Sequence, residues 1–225
     1  YKARYDSNNE SVNFHAREDQ KRYETTQVFI APVGNWSQRL NVEVSNGTQR
    51  SSCWVRGPFN SPYSIGNSFS HLVLTATGIG ITPSLAIAAQ YPGETRTKIL
   101  IWSCKCAKML KFFAPLFEDF HMIIVYYTGK EMISYDESLS IKGSKGNVFL
   151  QMKRGDMSQA ICTVVTSFES SMKDNIPFSK IEMIPIDLLS SWCVMYCGGL
   201  KRLRDDLASF CRSEGVQFNS EVFDW

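Results

Sequence analysis

The sequence predicts an α/β fold built on a doubly wound parallel sheet. Three continuous apolar runs, at residues 71–76, 97–102 and 122–127, have the composition of strands that are buried on both faces. Segments with helical spacing of apolar residues separate these runs, and a Gly-rich turn at residues 78–83 follows the first run. Strands that alternate with helices are typical of a parallel sheet covered by helices.

The first third of the chain is less regular. Residues 1–21 are polar and charged and are expected to form a loop or a flexible lead. Further on, Asn46-Gly47 is a turn signal. The remaining expectations are a strand at 26–31, a helix at 36–44, a short strand at 53–56 and a loop at 60–67.

The second half contains a well-defined strand–helix pair near its end. Leu203, Leu207 and Phe210 form an apolar stripe within a predicted helix at 200–212. The pattern is hardest to interpret between residues 129 and 191. The other predictions are helices at 84–90, 107–117 and 167–173, strands at 160–166 and 192–196, a loop at 174–185 and an extended segment at 216–225.

Composition excludes some function classes. The chain has 225 residues with 44% hydrophobic content, and 24 basic against 22 acidic side chains give a net charge of +2. No basic stripe points to nucleic acid, and no apolar run of about 18 residues predicts a membrane span, so the chain itself is expected to be soluble. The seven cysteines lack zinc-ligand spacing and are expected to be free thiols in a reducing compartment. His15, His71 and His121 are scattered, so no metal site is expected.

The turn at residues 78–83 (GIGITP) predicts phosphate binding. Unpaired N–H groups at a helix N-terminus attract anions, and glycines let the backbone approach the ligand closely. Thr82 adds a hydroxyl, and Pro83 suits a first helical turn. The spacing G-x-G-x-x-P differs from that of the classical dinucleotide fold, so a tight packing turn is the alternative.

Several further segments stand in a defined order around this turn: residues 33–40 (VGNWSQRL), 55–59 (VRGPF), 196–199 (YCGG) and 218–223 (FNSEVF). With the turn, they resemble motifs of the ferredoxin–NADP reductase superfamily, and more closely the C-terminal region of ferric-chelate reductases and NADPH oxidases. Asn60 stands where that family has Gly, Gly199 where it has Pro, and Thr77 also departs from its pattern. The Trp at the C-terminus is similar to that of plant-type ferric reductases.

The resemblance implies a partial antiparallel flavin-binding β-barrel before the parallel sheet. Residues 1–66 would be a remnant of the FAD-binding barrel with a linker, and residues 67–225 the NAD(P)H-binding domain. The family's H-P-F-[ST] flavin motif is missing, so FAD is expected to bind largely to sequence outside this chain. Haem would lie in a missing membrane domain, which would place this part of an integral membrane protein on the cytosolic side.

The resemblance also assigns site residues. The pyrophosphate would lie on the turn, and the cation of Lys105, close to Trp102 in sequence, would pair with a 2′-phosphate. The family often has Arg at this position, so the Lys leaves the choice between NADPH and NADH open. Cys197 would lie beside the nicotinamide and position it, with Glu221 nearby, and either Phe223 or Trp225 would cover the flavin ring. Arg154 stands where the family has a G-R-P-[DN] segment, although a charged loop is its ordinary explanation. The alternatives for the other residues are a core position for Trp102, a buried thiol at a strand end for Cys197, a surface charge for Lys105 and a final strand for Phe223 and Trp225. The cofactor-binding set is Gly78, Ile79, Gly80, Thr82, Pro83, Trp102, Lys105, Cys197 and Gly198.

The function that the resemblance implies is hydride transfer from NADPH to FAD, with electrons passed through membrane haems to ferric chelates. Three alternatives remain open at this stage. One is an NADPH oxidase that reduces dioxygen to superoxide, and another is a soluble FAD reductase that donates to a partner protein. The third is a catalytically degenerate binding module.

Overall fold

The computed structural model describes residues 2–6, 11–15, 25–30, 32, 34–47, 50–52, 61–90, 96–131, 133, 147–172 and 190–221. The chain divides into two compact units, Tyr1–Asn60 and Ser61–Trp225. The predicted strand at 53–56, the predicted loop at 174–185 and the segment at 55–59 lie outside the described residues.

The first unit contains an antiparallel sheet of order β3-β2-β1-β4. Its strands are β1 (Lys2–Asp6), β2 (Ser11–His15), β3 (Thr25–Phe29) and β4 (Arg50–Ser52). The expectation of a loop over residues 1–21 was therefore wrong. The register pairs Ala3 with Phe14 and Tyr5 with Val12. Apolar positions alternate in both strands, and this period of two was the signal for a sheet.

The predicted helix of this unit is confirmed as α1 (Asn35–Ser45). Gly34 precedes it: the Gly34 N–H donates to Ser37 Oγ, and that hydroxyl donates back to the Gly34 carbonyl oxygen, both at 3.0 Å. The helix ends in the predicted turn at Asn46-Gly47, where Gly47 has a φ of +88°. Positive φ costs glycine little, so the residue suits this position.

The second unit contains a six-stranded sheet of order β10-β9-β5-β6-β7-β8, in which every pairing is parallel. This confirms the predicted α/β fold class with its parallel sheet. The strands are β5 (His71–Thr77), β6 (Thr97–Cys104), β7 (Met122–Tyr127), β8 (Asn147–Gln151), β9 (Trp192–Cys197) and β10 (Gln217–Glu221). From β5 the chain adds strands on one side as far as β8, and then continues with β9 on the other side of β5.

Within its described residues, this unit contains four α-helices. They are α2 (Ile81–Gln90), α3 (Ala107–Phe113), α4 (Met157–Met172) and α5 (Lys201–Ser213). The helix predicted at 107–117 ends early because Pro115 follows: the chain continues as a short 3₁₀ helix, Ala114–Leu116. None of the helices within the described ranges is both long and apolar enough to cross a membrane.

Two predictions in this unit were wrong. Residues 160–166 form no strand, because they lie inside α4, where Ala160, Ile161, Val164 and Val165 are buried at helical spacing. Residues 60–67 were expected to form a loop, but Pro62–Ser68 is a 3₁₀ helix. The edge strand β8 was not predicted at all.

The core joins the helices to the parallel sheet. Side chains of β5, β6 and β9 pack with those of α4 and α5 in one buried cluster. Its members include Val73, Ile101, Val194, Tyr196, Met157, Val164, Leu207 and Cys211. Because several strands and both helices share this cluster, the carboxyl edge of the sheet has a fixed backbone from which the following loops start.

Candidate functional site

The strand order reverses between β5 and β9. These neighbouring strands run parallel with Ala76 opposite Cys197, so their carboxyl ends lie side by side. From this point the chain leaves β5 into the Gly-rich turn and leaves β9 into Gly198-Gly199. In open parallel sheets, ligands bind in the crevice at such a reversal. The two loops expected from the sequence to hold one nucleotide therefore meet at this place.

The turn after β5 leads directly into a helix. Gly78 has a φ of +53° and starts a short 3₁₀ helix, Gly78–Gly80, after which α2 begins at Ile81. A Cβ added to Gly78 would meet no atom within 4 Å, so the turn has an open side here. Pro83 lies in the first turn of α2, where its missing N–H is not needed.

Gly80 makes the closest approach between the two loops. A Cβ on Gly80 would lie 2.3 Å from the carbonyl oxygen of Cys197 and 2.7 Å from its carbonyl carbon. Both atoms are backbone, so they cannot move aside as a flexible side chain would. The absence of a side chain at Gly80 is thus a condition for the turn to pack against the end of β9.

Trp102 holds the turn in place by a hydrogen bond. Its indole Nε1–H donates to the Gly78 carbonyl oxygen at 2.9 Å. The side chain is fully buried and makes edge-on contacts with Phe113 and Phe117. Of the two roles open from the sequence, the structure favours the core position: Trp102 has no exposed surface for a cofactor, but it orients the turn.

Thr82 also holds the turn. Its hydroxyl donates to the Ile79 carbonyl oxygen at 3.2 Å. A hydroxyl has one proton, so in this arrangement Thr82 has none left to donate to a phosphate. The groups left to contact an anion are the backbone N–H groups at the start of α2, where the helix dipole favours negative charge.

The hydroxyl of Tyr196 fixes the loop after β9. The Tyr196 hydroxyl accepts from the Leu200 N–H at 3.2 Å and lies 3.4 Å from Thr77 Oγ1. A Cβ on Gly198 would lie 2.0 Å from that same Thr77 oxygen, whereas a Cβ on Gly199 would meet nothing within 4 Å. Gly198 is therefore needed for packing, and Gly199 leaves open space.

Cys197 is a buried thiol at this edge. Burial raises its pKa to about 12; the neighbouring Glu221 carboxylate raises the pKa as well, and the Tyr63 hydroxyl lowers it. The thiol is therefore protonated at neutral pH and is a poor nucleophile. This state fits the expected role of a group that positions a ring.

Glu221 ends β10 directly opposite Cys197 in the strand register. The N–H of Gly198 donates to the Glu221 carbonyl oxygen at 3.4 Å, which ties the end of β10 to the loop after β9. The structure thus brings Cys197, Gly198 and Glu221 together. Phe223 and Trp225, expected over the flavin ring, lie outside the described residues.

Tyr63 is a site residue that the sequence interpretation missed. It belongs to the 3₁₀ helix Pro62–Ser68. Burial raises the pKa of its hydroxyl, and the Cys197 thiol and the Glu221 carboxylate raise this pKa further. The signal for the helix was Ser61-Pro62: the Ser61 hydroxyl accepts from the Tyr63 N–H at 3.2 Å, a capping pattern.

Lys105 directly follows β6 at the same carboxyl edge and is exposed. Because β6 is the neighbour of β5, Lys105 lies one strand away from the reversal. Arg154 is also exposed but follows β8, two strands farther out. Of the two cations, Lys105 has the position expected for contact with the adenosine end of a nucleotide that starts at the turn.

These features leave room for a ligand beside a helix N-terminus. The turn combines a helix N-terminus with open space at Gly78, and the second loop has open space at Gly199. Within the described residues, no group of three or more His, Cys, Asp and Glu side chains could hold a metal ion.

Comparisons with known proteins gave structural similarity only. No family model matches the chain, and no curated protein matches it. Two structures of ferredoxin-NADP+ reductase from Plasmodium falciparum are similar. One, a point variant in complex with 2′P-AMP, has a TM-score of 0.40 and 13% identity over 94% of this chain and 76% of that one. The other has a TM-score of 0.41 and 12% identity over 94% and 70%.

A third similar structure contains the CS-b5R domains of human Ncb5or in its NAD+ form. Its TM-score is 0.42, with 13% identity over 91% of this chain and 50% of that one.

Proposed function

We propose that this chain is the nucleotide-binding part of a flavin-dependent NAD(P)H oxidoreductase. The observation that carries the proposal is the meeting of two loops at the reversal of the strand order, where Gly80 packs against the Cys197 backbone. Reversals of this kind bind nucleotides in doubly wound sheets. The sequence motifs of the same two loops resemble those of the ferredoxin–NADP reductase superfamily.

In the proposed complex, the pyrophosphate binds to the backbone N–H groups at the start of α2. Lys105 takes the 2′-phosphate, so NADPH is favoured over NADH. The nicotinamide end reaches Gly198 and Glu221, and the fully buried, protonated thiol of Cys197 lies beneath the ring. The nucleotide supplies a hydride and FAD accepts it, while the protein provides binding and orientation.

The experiment for this proposal is anaerobic mixing of NADPH with the FAD-loaded protein that includes the sequence expected to hold FAD, followed by flavin absorbance. We expect flavin reduction that is lost in Gly80→Ala, because the added methyl group clashes with the Cys197 backbone. Gly199→Ala, where an added Cβ meets nothing within 4 Å, is the matched control. Tight NADPH binding without any flavin reduction would favour a binding module that has lost catalysis.

For the electron acceptor we propose ferric chelates, on the resemblance of the C-terminal segment at 218–223 and of the final Trp225 to ferric reductases. By the same resemblance, membrane haems on other sequence would carry the electrons, with this part on the cytosolic side. The test measures two products in one reaction mixture: ferrous iron, captured by a chelator, and superoxide. The product that forms shows whether ferric chelate or dioxygen accepts the electrons. Superoxide without ferrous iron in air, together with no ferrous iron in an oxygen-free repeat, would contradict the ferric assignment.

A further inference from the structure

A buried hydroxyl beside the proposed nicotinamide end is not used by the proposed function. Tyr63 is 2% exposed, yet its hydroxyl has no hydrogen-bond partner of normal geometry within the described part of the chain. Native proteins pair nearly all buried polar atoms. An unpaired one at the carboxyl edge of the sheet therefore calls for a functional explanation.

The 3₁₀ helix that carries Tyr63 is fixed at both ends. At its start, the Asn219 side-chain amide on β10 donates to the Pro62 carbonyl oxygen. At its end, the Arg96 guanidinium donates to the carbonyl oxygens of Gly66 at 2.7 Å and Asn67 at 2.9 Å. The backbone that carries Tyr63 is thus held at both ends, by Asn219 on β10 and by Arg96 just before β6.

The hydroxyl faces two groups of the candidate site. Cys197 and Glu221 are opposite each other in parallel strands, so their side chains leave the sheet on the same face. Burial raises the pKa of Tyr63 most, and the Cys197 thiol and the Glu221 carboxylate raise it further, in that order. A thiol sulfur can accept a hydrogen bond from a phenol hydroxyl.

We propose that Tyr63 is a further positioning residue, whose hydroxyl donates to Cys197 Sγ and directs the thiol toward the bound nicotinamide ring. This inference rests on the proposed function. Tyr63 touches no reacting atom and acts only through Cys197. Its hydroxyl stabilises the thiolate form relative to the thiol, so its removal makes Cys197 less reactive.

The test uses Tyr63→Phe, which keeps the buried ring and removes only the hydroxyl. Tyr127→Phe is the matched control, because it removes another buried tyrosine hydroxyl of the same sheet. The first readout is the alkylation rate of each cysteine, measured by peptide mass spectrometry. We expect Tyr63→Phe to slow alkylation of Cys197 about three- to tenfold, with Cys193 unchanged in both variants.

The second readout is calorimetric binding of NADP+ and of 2′-phospho-AMP, which lacks nicotinamide. We expect Tyr63→Phe to weaken NADP+ about threefold and to leave 2′-phospho-AMP unchanged. An unchanged Cys197 alkylation rate, or equal weakening of both ligands, would overturn the inference. Slowed alkylation in a chain that binds neither ligand would support the Tyr63–Cys197 contact and count against the proposed function.

Discussion

The carbonyl oxygen of Cys197 occupies the space that a side chain on Gly80 would need. The separation of 2.3 Å to an added Cβ is far below any normal contact. Through this packing, the turn after β5 and the loop after β9 form one unit at the reversal of the strand order. A change at Gly80 therefore acts on both loops at once.

Gly80→Ala is expected to separate the two loops. The added methyl group clashes with backbone atoms, so overpacking lowers the free energy of unfolding by about 1–3 kcal/mol. Urea unfolding measures the loss. Gly199→Ala is the control, because a Cβ there meets nothing within 4 Å. Equal stabilities of the two variants would show that the loops do not pack as described.

Trp102→Phe is expected to loosen the turn. It removes the donor to the Gly78 carbonyl oxygen and costs about 1–3 kcal/mol of stability. Trp192→Phe is the matched control, since Trp192 is equally buried but stacks on His71 at the amino edge of the sheet. We expect both variants to lose stability in urea, and only Trp102→Phe to lose NADP+ affinity in calorimetry. If Trp102→Phe and Trp192→Phe bound NADP+ with equal affinity, Trp102 would have no supporting role in the nucleotide site.

Lys105→Ala tests the proposed contact with the 2′-phosphate. An exposed ion pair is weak, so we expect about a two- to fivefold rise in the Kd of NADP+ and no change for NAD+. The difference shrinks at high salt because exposed charges are screened. Lys108→Ala, also exposed and three residues farther along, is the control. A parallel rise for both nucleotides would remove Lys105 from this role.

Stability is expected to fall at alkaline pH. Burial raises the pKa of Cys193 from 9.0 to about 12, and burial has the same effect on Cys211. Since the folded pKa exceeds the unfolded one, this stability is complete below pH 9 and is lost as pH rises toward 12, by about 1.4 kcal/mol per thiol and pH unit.

The measurement for this pH dependence is the free energy of unfolding in urea at about pH 8 and about pH 10. Cys193→Ala should flatten the decline between the two values. Cys106→Ala should leave it unchanged, because Cys106 is exposed. A decline that Cys193→Ala does not alter would locate the titrating group elsewhere.

The parallel sheet could be predicted because its central strands are continuous apolar runs, as at 71–76 and 122–127. The strand predicted at 160–166 was wrong because the adjacent Val164 and Val165 favour a strand by their local pattern. In the fold these residues belong to α4, and tertiary packing buries one face of that helix. The proposed role of Tyr63 could not be predicted, because Tyr63 and Cys197 lie far apart in the chain. The hydrogen bond from Trp102 to Gly78 could not be predicted either, because the sheet register brings these two residues together.

The most direct test of the central claim is calorimetric binding of NADP+ and NAD+ to the wild-type chain and to Gly80→Ala. We expect micromolar binding of NADP+, weaker binding of NAD+, and loss of both in Gly80→Ala, with binding unaffected in Gly34→Ala of the first unit. If the folded wild-type chain bound neither nucleotide, or if Gly80→Ala bound NADP+ as tightly as wild type, the reversal between β5 and β9 would not be the nucleotide site.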